Sequence, residues 1–68
     1  MEVFINHTSV QIFKGARLKH AILKYSKESY KQLMNKQIEF EDEKGNLMDE
    51  DGQVWKGIKL FTKIKQND

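Results

Sequence analysis

A chain of 68 residues with a formal charge of +2, no Cys and no Pro is sized for a single small domain spanning 1–68, since domains begin near ~50 residues. The missing cysteines exclude disulfide staples, thiolate zinc, iron–sulfur ligation and thiol catalysis, and they make a reducing cytoplasm the expected compartment. No apolar run approaches the ~18 residues of a membrane span, and Met1-Glu2-Val3-Phe4-Ile5 lacks the basic and then apolar profile of a leader peptide, so no membrane association is expected.

From Glu2 to Asn6 apolar and polar residues alternate, with Val3 and Ile5 on one side and Glu2, Phe4 and Asn6 on the other, the period of a half-buried strand. Asn6-His7-Thr8-Ser9 reads as a turn, Val10 and Ile12 resume the alternation through Phe13, and Gly15 ends the predicted hairpin. The period then lengthens: Leu18, Ala21, Ile22 and Tyr25 mark the stripe of an amphipathic helix, leaving Arg17, Lys19, His20 and Lys24 toward water. Ser26 and Ser29 are weak helix formers, so the helix is expected to end or bend near Ser26. A second short helical stretch over 27–34 would bring Tyr30, Leu33 and Met34 to the core.

Ile38 to Glu41 alternate again and run into Asp42-Glu43-Lys44-Gly45-Asn46, where Gly and Asn tolerate the positive φ of a tight turn. Leu47 and Met48 form a short return strand, and Ile58 to Ile64 the last one. In that strand Leu60, Thr62 and Ile64 share one face and Lys59, Phe61 and Lys63 the other. The order of hairpin, helix, strand, short strand, strand predicts an α+β chain of the β-grasp type. Its mixed sheet of four to five strands packs on one main helix, with the first and last strands parallel at the centre.

At this point the chain resembles a family, the small sulfur carriers of thiamine and molybdopterin synthesis, which are ubiquitin-like β-grasp proteins. The likeness rests on the opening Val3-Phe4-Ile5-Asn6 to Ile12, on Phe13-Lys14-Gly15-Ala16-Arg17-Leu18 leading into Ala21-Ile22-Leu23, and on Lys56-Gly57 before Lys59-Leu60-Phe61-Thr62. It implies the fold and a habit of docking to proteins through the open sheet face. The family's working part is a C-terminal Gly-Gly, thin enough to enter a partner's narrow active site. This sequence runs Lys65-Gln66-Asn67-Asp68 and has no Gly beyond Gly57, so neither sulfur transfer nor covalent conjugation is expected.

Charge falls in three blocks. Residues 1–36 hold seven bases against Glu2 and Glu28, residues 37–51 hold seven acids against Lys44, and residues 52–68 hold Lys56, Lys59, Lys63 and Lys65 against Asp68. Such blocks attract charged partners or attract one another within one fold. In the acidic run, Asp49-Glu50-Asp51-Gly52 matches half of a calcium loop, but Asn46 precedes it and no closing Glu follows. His7 and His20 fall on different elements without metal-ligand spacing or a nucleophile partner, and the four glycines are scattered singly. No metal, no cofactor and no enzymatic activity are therefore expected.

With Val3, Ile5, Val10, Ile12, Leu60 and Ile64 turned toward the helix, Phe4 and Phe61 must project from the opposite sheet face beside Lys59 and Lys63. These four are the candidate site: a non-enzymatic module that binds an as yet unidentified protein, the phenylalanines supplying affinity and the lysines steering an acidic partner. The alternative is weak, non-specific nucleic-acid binding by the basic helix and last strand, with Phe4, Phe13 and Phe61 as stacking surfaces. As an isolated protein the chain is expected to be a monomer or weak dimer.

Overall fold

A computed structural model describes residues 1–65, and in it the first hairpin is tighter than its composition suggests. Strand β1 (Glu2–Ile5) turns through Asn6 and His7 alone into β2 (Thr8–Gln11). Both turn residues have positive φ, 50° and 70°, the signature of a two-residue hairpin loop whose twist matches the strands. Thr8 and Ser9 are thus strand rather than turn, because Asn and His tolerate the left-handed region that a longer loop would have avoided.

The helical segment is two equal helices rather than one main helix. Helix α1 (Leu18–Tyr25) stops where the Ser26 backbone becomes extended, and α2 (Lys27–Met34) starts at once because the Ser26 hydroxyl accepts the Ser29 N–H at 3.1 Å. A residue that competes with helical hydrogen bonding is well placed as an N-cap. Leu33 is buried and Tyr30 half-buried, but Met34, expected in the core, is exposed in the last turn of α2.

Strand β3 (Ile38–Asp42) meets β4 (Leu47–Met48) across a turn in which Gly45 adopts φ +83°, and β5 (Lys59–Ile64) closes a five-stranded mixed sheet in the order β2-β1-β5-β3-β4. As expected from the strand order, β1 and β5 run parallel side by side, with Ile5 opposite Leu60. Helix α1 lies over β1 and β2, and α2 over β3. Between the two layers Val3, Ile5, Leu18, Ala21, Ile22, Phe40 and Leu60 are fully buried.

Ile64 keeps the inward face expected of it but is not covered there. It is on the inward register, opposite the buried Ile38, yet 77% exposed. Each eight-residue helix is about 12 Å long. The six residues of β5 span about 20 Å, and the helices pack chiefly on β1, β2 and β3, which leaves the end of β5 open.

The long connection between β4 and β5 has a structural task. Carbonyls of Gly52 and Glu50 accept the N–H groups of Leu18 and Lys19 at 2.8 and 3.0 Å, satisfying first-turn donors of α1 that lack an acidic partner in their own turn. Gly52 is the residue that permits this: a Cβ there would stand 2.9 Å from both the Asp49 carbonyl oxygen and the Met48 Sδ.

Candidate functional site

Strand register assembles one sheet face from five strands. Glu2 pairs with Gln11 and Phe4 with Ser9. Phe4 also pairs with Lys59, Glu41 with both Phe61 and Leu47, and Glu39 with Lys63. Because partners in register project to the same side, all of these leave the sheet opposite the helices. The four residues singled out from sequence therefore do share a face.

Phe4, Lys59 and Phe61 are brought closest together. With His7, Glu43 and Leu60 they line an open cavity of about 410 Å³. Phe4 and Phe61 are half-buried rather than fully exposed, since each leans on its cross-strand neighbours. The His7 ring stands edge-on to Phe61, centroids 5.4 Å apart and planes at 65°. Lys63 lies one inward–outward repeat further along β5, opposite Glu39, and does not line the cavity.

His7 and Glu43 were missed from sequence. The signal for His7 was available: a hairpin loop of only two residues after Ile5 carries the second of them over the end of the neighbouring strand. Glu43 comes from the β3–β4 turn, which Asp42 holds locally, and it stands beside Lys59 only because β3 pairs with β5. Glu2, Glu39 and Glu41 stand on the same face as Lys59 and Lys63, so the face is mixed in sign rather than uniformly basic.

Asn6, expected on the Phe4 side, turns its side chain to the helix side, where Nδ2 also reaches the Tyr25 hydroxyl at 3.4 Å. Its Oδ1 accepts the Thr62 backbone N–H at 3.0 Å and its Nδ2 donates to the Thr62 Oγ1 at 2.8 Å, tying the first hairpin to the last strand. Those two bonds hold the Asn6-His7 turn, and with it the His7 ring, against β5.

The acidic run is spent on structure. Asp42 Oδ1 accepts the backbone N–H groups of Lys44 and Asn46, both at 2.9 Å, and Oδ2 the Asn46 side-chain amide. The Asn46 backbone bond, more than any other contact, holds the Asp42 carboxyl below its ordinary value of 3.8. Asp51 pairs with Lys19 at 2.6 Å, and Glu50 pairs with Lys36. The hydrogen bond from Lys19, followed by its charge, lowers Asp51, while the same pairings raise Lys19 and Lys36 above 10.5. Among the described residues no three His, Asp or Glu side chains converge where a metal ion would sit.

His20, expected toward water, is half-buried and accepts the Arg17 backbone N–H on Nδ1 at 3.0 Å, with Phe13 against its ring. It therefore works as a helix cap. No helix is long and apolar enough to cross a membrane among the described residues. Comparison with protein-family models, curated proteins and solved structures returned no match.

Proposed function

We propose that this chain is a β-grasp domain acting as a non-enzymatic protein-interaction module that docks through the sheet face carrying Phe4 and Phe61. The β-grasp reading is supported by the parallel β1–β5 pair inside a β2-β1-β5-β3-β4 sheet with both helices on one side. The observation that carries the docking reading is the cleft in which two half-buried phenylalanines and an edge-on imidazole meet Lys59 and Glu43 on the side the helices leave bare. Aromatic anchors in a concave, partly desolvated setting are what interface hot spots are made of. One cation and one carboxylate at the rim suit a partner whose own rim is mixed in charge, rather than a strongly acidic one.

The resemblance to sulfur carriers contributes the fold and the sheet-face habit. The docking reading uses no carrier chemistry, and residues 66–68, on which the expected departure from the family's Gly-Gly falls, lie outside the described residues. Nucleic-acid binding by the basic helix and last strand is weakened by Lys19 and Lys36 being paired with Asp51 and Glu50, and by Glu39 and Glu41 beside Lys63.

The test is capture from native extract on the immobilised chain at ~0.3 M salt, where apolar contacts persist and exposed charge pairs are screened. A Phe4→Ser, Phe61→Ser variant that keeps its circular dichroism should lose the captured protein. Retention of that protein by the folded variant would move the site away from this face.

A further inference from the structure

The chain's single tryptophan plays no part in the sheet-face site. Trp55 follows the buried Val54, which anchors the β4–β5 connection to the core, and is itself 56% exposed. It borders a groove of about 570 Å³ together with Met1, Lys14, Gly15, Gln53 and Lys56. Both charged side chains lining that groove are lysines, and no carboxylate lines it. Gly15, at φ +90°, leaves its stretch of the groove wall without a side chain. A second groove that Trp55 also borders is mixed in sign, with Asp42 and Glu43 against Lys44, Lys56 and Lys59, and it shares Glu43 and Lys59 with the sheet-face cavity, so only the first groove is lined by cations alone.

We propose that this groove is a second, independent binding site, taking an unpaired nucleotide of a single-stranded nucleic acid. Its base stacks on the Trp55 ring, and the neighbouring phosphates meet Lys14 and Lys56. A large exposed indole offers any base a π-face, while flexible lysines supply point charges to a backbone that varies in path. An acidic peptide fits less well, because the planar two-point recognition that carboxylates favour comes from arginine. The chain's one arginine, Arg17, instead donates to the Asp51 carbonyl oxygen. Duplex DNA hides its base faces, so the site reads only single strands.

Having one tryptophan makes the test direct. Titration of the whole chain with oligo-dT of about ten nucleotides at ~0.05 M salt should quench Trp55 fluorescence saturably, and the log–log salt slope should be about −1.4 for two phosphate contacts. Lys14→Gln and Lys56→Gln should each flatten that slope by ~0.7. In anisotropy with labelled oligo-dT, Trp55→Ala should weaken binding about 5- to 150-fold, and Trp55→Phe, which keeps a stacking face, should recover part of it. Absence of quenching overturns the proposal. So does equal binding by a duplex of matched phosphate count, stronger quenching by a glutamate-rich peptide, or indifference of the affinity to a folded Trp55 variant. None of these outcomes touches the Phe4–Phe61 face, which is read by protein capture at higher salt.

Discussion

The two faces of this sheet are made by the same strands with the same alternation, and they have opposite fates. Toward the helices Val3, Ile5, Phe40 and Leu60 are fully buried. On the other side Phe4 and Phe61 are half-buried among Glu39, Glu41, Lys59 and Lys63. Alternation decides which face a residue joins, but the cover decides whether joining it means burial. Within the inward face itself, Leu60 is sealed and Ile64, four residues on, is open to water. The same holds on the helices, where Leu33 is buried and the adjacent Met34 is exposed.

The sharpest way to break this comparison is truncation in the sealed layer. Leu18→Ala, Ile22→Ala or Leu60→Ala should each cost roughly 2–5 kcal/mol, enough to unfold much of so small a domain, as read by urea midpoints. Ile64→Ala, in the same strand and register as Leu60, should shift the midpoint by no more than about 0.5 kcal/mol, the range of ordinary surface changes. Equal losses at 60 and 64 would mean that the helices reach the end of β5.

Next in size is Gly52→Ala, which forces a methyl against a backbone oxygen and the Met48 sulfur and should cost about 1–3 kcal/mol. The fraying it causes should concentrate at the start of α1, where amide exchange of Leu18 and Lys19 should accelerate. On the open face, Phe4→Ser and Phe61→Ser should cost about 1 kcal/mol each, since only part of a phenylalanine's ~1.5–3 kcal/mol of burial is lost. Loss of partner capture should far outweigh that small destabilisation.

The smallest effect is pH dependence. Asp42 and Asp51 are depressed in the folded chain, so their stabilisation is present above the ordinary carboxylate value of 3.8 and is lost as pH falls through their lower folded values. Lys19 and Lys36 are raised, so theirs is present below 10.5 and fades as pH climbs past it. Thermal midpoints should be flat between and sag slightly at both ends. Asp42→Asn should remove part of the acid-side sag, leaving the alkaline side unchanged. Lys24→Ala, on an exposed position of α1, should shift nothing measurable.

The elements and their order were legible because their periods are clean: Val3 and Ile5 at spacing two, Leu18, Ala21, Ile22 and Tyr25 at spacing near four, and serine at the helix break. What was not legible depended on lengths and on neighbours distant in sequence. Ile64 and Met34 lie at the ends of elements whose partners stop short. Likewise Glu43 joins the candidate cleft from a turn, and the mixed sign of the open face follows from β3 lying beside β5, which no local pattern in either strand states. The spacing of the acidic run already argued against a calcium loop, but not what the run does instead: its carbonyls accept from the first turn of α1 and its carboxylates pair with Lys19 and Lys36.

The place of β5 in the middle of the sheet sets the order in which the molecule can be made. During synthesis the hairpin, both helices and the β3–β4 pair all emerge before residues 59–64, yet β1 and β3 have no neighbour on their inner edges until those residues arrive. Until then β1–β2 and β3–β4 are two lone two-stranded pairs, each only marginally stable in water by itself, so the sheet is not established before the last strand joins. Closure of that gap joins residues 56 apart, as in the Asn6–Thr62 clasp, so the loop-closure cost of the whole sheet falls on this one strand.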